Sequence, residues 1–255
     1  MGTLSDVSGD AILVAGGARA ILLQLANPAV GAGVAAHSDF ASRPLERLHA
    51  TLTFCYAQAY GTPADKQAVA RRVNAAHGPV TGTAASGAPA YSAFDPRLQL
   101  WVAATLYDTA AQVHDLVFGP LGPAEADELY AEYAVIGTAL QMPAELWPEN
   151  RAAFRSWFDS EVGELTVSQD AQAVARQLLA FASAPLWVRG LMPTVRLVTA
   201  GLLPERLRAA YGFHWTPRQQ RRFDRLLRTL RVLWPAVPRS IRHYPVRYYL
   251  GRLRG

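Results

Sequence analysis

Proline and glycine cut this chain into segments of helical length, and no segment between them alternates as a strand would. Pro44 stands just inside one start and Gly61 just past the matching end, which predicts a helix over 45–60. Thr62, Pro63 and Asp65 provide a cap, a first-turn proline and an acid at the positive helix end, and Gly78 and Pro79 stop that second helix. Asp95 and Pro96 open a third that runs to about Phe118. Further helices are predicted from Pro123 to near Gln141, from Pro143 to Glu164, and over Val174–Phe181, followed by the proline-bounded pieces APLWVRGLMPTVRL. Residues 11–36 read as two buried helices meeting at Asn27 and Pro28, because Arg19, Gln24, Asn27 and Pro28 interrupt what would otherwise pass for a span of about 20 apolar residues. With no repeat at a fixed period, the expected fold is all-α, a single helical domain over residues 1–255.

Composition agrees with a packed globule: 51% of residues are apolar and 18% charged, which excludes disorder and coiled coil. A chain of 255 residues buries roughly 70–75% of its unfolded surface. The single cysteine, Cys55, excludes an internal disulfide and a four-cysteine zinc site, and CxxCH, the attachment motif for covalent haem, is absent. The N-terminal MGTLSDVSGD carries two acids and no base, the wrong charge for a secretory signal, so a cytoplasmic location is expected. Gly16 and Gly17 do not belong to a GxGxxG pattern and are expected to allow close packing. HExxH is missing, and the ExxH of Glu46 to His49 occurs once, whereas a di-iron bundle needs two.

The densest chemistry lies between Arg47 and His77. Arg47, Thr51, Phe54 and Gln58 share one helical face, while the rest of that helix is apolar nearly all round, so Arg47 is expected inside. A buried guanidinium costs several kcal/mol unless it meets an anion; an internal carboxylate is one candidate partner. On the next helix Val69, Val73 and His77 fall at i, i+4, i+8, which puts His77 on the apolar face in the last turn. Two readings follow: a core histidine hydrogen-bonded to a carbonyl, or a neutral imidazole aimed into a cavity as a metal or haem ligand.

Several motifs in order carry a resemblance. GGARAILLQLANPAVGAGVAAHS, the Arg47-x3-Thr51 pair, RVNAAHGPVTG, YSAFDPRLQLWVAATL and LLPERLRAAYGFHWTPRQQRR together resemble the family that joins the MpaB-type oxygenases with the latex-clearing rubber oxygenases, over about Gly16 to Pro238. The resemblance implies an all-helical fold enclosing haem b, with His77 of the NxxH segment as the iron ligand. It places Arg47 and Thr51 beside the haem as binding and catalytic residues, Arg47 meeting a propionate or negative charge that develops at the iron. The implied function is that of a haem b-dependent oxygenase or peroxide-dependent oxidase acting on a hydrophobic small molecule, with an electron donor or peroxide as partner. The alternative is a haem- or apolar-ligand-binding protein of the same fold without turnover. Departures bear on this choice: rubber-cleaving members have a lysine where this chain has Ala50 and an acid upstream, whereas no acid lies between Asp10 and Asp39 here. Rubber cleavage is therefore not expected. Relatives also carry histidine where this chain has Asn27 and Ala103.

The loop GPVTGTAASGAPAYSAFDP directly follows His77 and is expected to wrap or gate the haem edge. Along the helix after it, Trp101, Thr105, Asp108 and Gln112 form a polar stripe that suits either a pocket or a satisfied helix interface. Charge is divided unevenly. Residues 189–255 hold fifteen arginines against two acids, Glu205 and Asp224, for a net +13, while residues 1–188 carry −8. In this basic amphipathic segment Phe223, Leu226, Leu227, Leu230 and Trp234 make an apolar stripe opposite Arg218, Arg222 and Arg225. Covering the core with a solvated face is one role; peripheral membrane contact is another. Nucleic acid is not an expected partner, since no reading element or aromatic platform is visible.

Overall fold

The computed structural model of the chain describes residues 4–37, 44–84, 89–181 and 185–255. Its axis is a 23-residue helix, Pro96–Phe118, capped by Asp95, whose side chain accepts from the Arg97 amide, with Pro96 in the first turn. Numbered in chain order, α1 is Leu4–Ser8, α2 Gly17–Ala26, α3 Pro28–His37, α4 Pro44–Tyr60, α5 Pro63–His77 and α6 this central helix. The only strands among the described residues are the two-residue antiparallel pair Thr81–Gly82 and Tyr91–Ser92, so the all-α expectation holds.

The helix α6 is buried along most of its length because α2 lies across it with Ala20, Leu22, Leu23, Leu25 and Ala26, all almost fully buried. Gly16 makes that approach feasible: a Cβ there would stand 2.6 Å from Thr109 Cγ2, whereas one at Gly17 would meet nothing. The close-packing reading therefore applies to Gly16 alone. The helices α2 and α3 meet at the expected joint with a bend of 104°. The side chain of Asn27 supplies the start of α3 by accepting from the amides of Ala29 (3.1 Å) and Val30 (3.2 Å). Only Gly31 and Gly33 of α3 are buried, so the second of the two apolar helices lies on the periphery. No single helix among the described residues is long and apolar enough to cross a membrane.

The far side of α6 is aromatic. The helices α7 (Pro123–Tyr133), α8 (Val135–Thr138) and α9 (Arg151–Glu164) bring Tyr130, Phe154 and Phe158 against Trp101 and Tyr107. Trp101 stacks on Phe158 at 5.4 Å and Tyr107 meets Phe154 edge-on at 4.9 Å. The predicted helices over 123–141 and 143–164 are both shorter than expected. The first is interrupted at Ala134, after Tyr133, and resumes only as the four-residue α8. Asn150 restarts α9, its side chain accepting from the Ala153 amide at 2.9 Å, after Pro148 has removed a donor.

The chain continues through α10 (Gln169–Ala180), α11 (Leu186–Leu202), α12 (Glu205–Ala210), α13 (Pro217–Leu233), α14 (Arg239–Arg242) and α15 (Tyr244–Arg254). The helix α11 runs through Pro193 rather than breaking there. The carbonyl that the proline ring displaces, that of Arg189, belongs to an exposed residue. The last helix returns to the beginning of the fold: α15 packs on α4 through Tyr56, Val246 and Tyr249, with His49 Nδ1 2.7 Å from the Tyr249 hydroxyl. It also reaches α5, where Arg254 donates to Asp65 at 2.7 and 3.1 Å. The Arg254 guanidinium and the Thr62 cap lower the Asp65 carboxyl to about 2. A carboxyl held below its unfolded value of about 3.9 contributes stability above that pH and loses it as pH falls toward 2. Acid unfolding followed by circular dichroism should accordingly be shallower in Asp65→Asn between pH about 4 and about 2.

Candidate functional site

The stripe along α4 is graded by depth. Arg47 and Thr51 are exposed, while Phe54 and Gln58 are buried at 7% and 3%. Arg47 is therefore not inside, as the apolar surroundings of α4 suggested. Fully buried residues begin at Phe54; before it Leu48, His49 and Leu52 are half-buried while Arg47 and Thr51 stay exposed. Enough protein still surrounds its guanidinium that desolvation lowers the Arg47 pKa. At the deep end Gln58 Nε2 is buried with no hydrogen-bond partner among the described residues.

His77 ends α5, on a face where Val69 is buried and Val73 half-buried. Burial first, and then the positive charge of Arg47, lower the His77 pKa below the ordinary histidine value. Its imidazole is thus neutral near pH 7, with a lone pair available on one nitrogen. Nδ1 is buried and has no hydrogen-bond partner among the described residues. The core-histidine reading called for a carbonyl there, and none is supplied by a described residue. Phe94, from the loop that follows His77, meets its ring edge-on at 6.4 Å and 74°. That loop is partly ordered by the short strand pair, and Tyr91 reaches back to α3, where its hydroxyl lies 3.1 Å from His37 Nε2. Residues 85–88 lie outside the described residues.

The structure adds a group that the sequence reading passed over. Asn74, one turn before His77, accepts from Gln141 Nε2 at 2.9 Å. Gln141 is locked to Gln99 of α6 by two bonds, Gln99 Nε2 to Gln141 Oε1 at 2.6 Å and the Gln141 amide to Gln99 Oε1 at 2.8 Å. Gln99 also donates to the Ala93 carbonyl at 2.9 Å. One network thereby holds the end of α5, the start of α6 and the residue before Phe94. The first N of NxxH was its only trace in sequence.

The comparisons bear on this arrangement. Residues 6–232 match the family described as "ER-bound oxygenase mpaB/B'/Rubber oxygenase, catalytic domain". The chain belongs to this family. The Arg47-x3-Thr51 and Asn74-x2-His77 segments lie on α4 and α5 within the matched part, and the positive charge of Arg47 is the second cause, after burial, that lowers the His77 pKa. The chain is also 33% identical over 239 residues to an uncharacterised protein of Mycobacterium bovis and to one of Mycobacterium tuberculosis, covering 92% of this chain and 93% of each relative. No solved structure matches. The helices α14 and α15 lie beyond the part that matches the oxygenase family.

Asn27, Ala103 and Ala50, the positions at which the resemblance implied departures, take three different places in the fold. Asn27 caps α3, Ala103 is a core residue of α6 at 1% exposure, and Ala50 is on the surface. The polar stripe of α6 is a helix interface rather than a pocket. Arg19 of α2 donates to Asp108 Oδ2 at 2.6 Å, to Thr109 Oγ1 at 2.6 Å and to the Leu202 carbonyl at 3.0 Å, while Gln24 donates to Thr105 at 2.9 Å. Of the other histidines, His37 is engaged by Thr81 and Tyr91, and His114 lies 3.6 Å from Asp115. Burial raises the Cys55 thiol to about 12, which keeps it protonated and inert. The described residues contain no group of three or more His, Cys, Asp or Glu able to hold a metal by themselves.

Proposed function

We propose that the chain is a haem b-dependent oxidoreductase, an oxygenase or peroxide-dependent oxidase of hydrophobic small molecules, with His77 as the iron ligand. One observation carries the reading: a half-buried imidazole at the end of α5 whose buried nitrogen has no hydrogen-bond partner among the described residues, and whose pKa is lowered by burial and by Arg47. Because Nδ1 is the buried nitrogen, Nε2 is the one left to a ligand. Membership of the oxygenase family over residues 6–232 supports the same class of chemistry.

Haem, when bound, supplies the redox-active iron at which oxygen or peroxide is used against an apolar substrate. The rest falls to this chain's own residues. Arg47, at the open end of α4, supplies a positive charge for a propionate or for charge that develops in the reaction. Thr51, one turn further in on the same face, supplies a hydroxyl. Phe54 carries that face into the apolar interior. Phe94 restricts the ring of His77, and the Asn74–Gln141–Gln99 network sets the position of the helix end that carries it.

Asn74→Ala should therefore weaken haem binding by roughly 10–100-fold, the range for loss of a ligand-orienting group. Titration of purified protein with haemin checks this, and Asn74→Asp, which keeps the acceptor oxygen, should lie closer to wild type.

A second reading keeps the haem and drops the turnover. It rests on Asn27 and Ala103, since a capping amide and a core methyl provide no acid–base group where relatives have histidine. Protein produced with haem precursor separates the cases. A b-type pyridine haemochrome together with product formation from apolar substrates, under reductant and oxygen or under peroxide, supports the oxidoreductase. Pigmented protein without turnover supports the binding protein, and colourless protein after haem supplementation overturns both.

A further inference from the structure

The arginines of α13 fall into two sets. Arg228 and Arg231 are tied to protein, donating to the carbonyls of Asp224 and Leu116 at 3.4 and 2.6 Å. Arg218, Arg221, Arg222 and Arg225 have no hydrogen bond or ion pair to any described residue, and together they line a concavity of about 350 Å³. All four fall within an arc of roughly 100° on the helix, opposite the side from which Phe223 enters the core. Asp224, the one acid on α13, accepts from Gln220 at 2.7 Å.

An apolar groove adjoins this cage. It has a volume of about 300 Å³ and is lined by Pro193 and Leu197 of α11 and by Phe213 and Trp215, with Arg196 at its edge, while Arg222 belongs to both cavities. Trp215 is held in place: its Nε1 donates to Gln220 at 2.8 Å, and the Arg208 guanidinium lies 4.7 Å from the ring centre. The helices approach closely because a Cβ at Gly201 would stand 2.7 Å from the Phe223 ring. Leu186, 80% exposed, lies two helical turns before Pro193 on the same face of α11.

Four uncompensated guanidiniums in one concavity call for anions with several acceptor oxygens, and the adjoining groove calls for an apolar body attached to them. We propose that α11 and α13 form a docking face for anionic phospholipid membrane, with lipid phosphates in the arginine cage, the upper part of the lipid against Trp215 and Leu197, and Leu186 inserted. Nucleic acid would meet the charge but leave the groove and Leu186 without a counterpart.

The test is co-sedimentation of the full-length protein with vesicles of phosphatidylcholine alone or mixed with phosphatidylglycerol. Binding should require phosphatidylglycerol and fall steeply with salt. Arg218→Gln/Arg222→Gln/Arg225→Gln should lose on the order of 100-fold in partition, the corresponding triple lysine variant should keep most of it, and Leu186→Gln should weaken it by about tenfold. Equal binding to both kinds of vesicle, or undiminished partition of a triple glutamine variant that melts like wild type, overturns the proposal. So does binding of random-sequence duplex DNA or free pyrophosphate that the mixed vesicles fail to displace. If the triple glutamine variant does not fold, the salt dependence of wild type decides, since salt-insensitive binding is incompatible with the cage.

Discussion

Replacing His77 with alanine is expected to remove the Soret band of the protein produced with haem precursor, with haem affinity falling by more than the roughly 10–100-fold that loss of an orienting neighbour costs. The side chain stands at the last residue of α5, half-buried, and accepts or donates no hydrogen bond to a described residue. Its removal opens no deep cavity and strands no partner among the described residues, so the melting temperature of the haem-free variant should stay close to that of haem-free wild type. Loss of colour at unchanged stability is the signature of a missing ligand rather than a missing fold. Added imidazole should restore part of the absorbance in His77→Gly, because the free ring can enter the space that the side chain leaves. An unchanged Soret band in His77→Ala would assign the iron to another residue.

Replacing Asp108 with alanine is expected to destabilise the fold by about 3–5 kcal/mol, the cost of leaving a buried charge without its partner. Arg19 and Asp108 are exposed to only 4% and 3%, and their 2.6 Å contact joins α2 to α6 at the centre of the protein. Asp108 also receives Arg155 from α9 at 2.9 Å, so one carboxylate connects three helices. With it gone, Arg19 keeps the Thr109 hydroxyl and the Leu202 carbonyl, both neutral. Urea unfolding should show a lower midpoint at unchanged slope. The double change Arg19→Met/Asp108→Leu should recover most of the loss, because apolar replacement of a whole buried pair is close to neutral. A cost below about 1 kcal/mol for the single change, the range of exposed pairs, would mean that water reaches this pair.

Much of the helical framework was legible because its signals are local. Thr62, Pro63 and Asp65 act on the two or three amides next to them, and the structure shows that capping box intact. Asp95 with Pro96, and Asn27 with Pro28, mark starts for the same reason. The face on which a residue lies followed equally from helical period, and Phe54 and Gln58 are buried where the period put them. Motif order was enough to name the family, since it is a property of the chain and needs no folding.

What the sequence could not contain is which faces meet. The stripe of Thr105 and Asp108 looked the same whether it lined a pocket or an interface, and only Arg19, 89 residues away, decided for the interface. Arg47 stands on a helix apolar nearly all round, but burial depends on which side of that helix its neighbours cover, and on this turn Tyr249 reaches His49 while Arg47 stays exposed. Asn74 joined Gln141 and Gln99 only when three segments converged. By itself the sequence determined the helices, their faces and the family, through forces that act within a turn. The depth of each residue, the partners of each buried charge and the burial that lowers the His77 pKa came only with tertiary structure, because desolvation and charge interactions depend on what packs nearby.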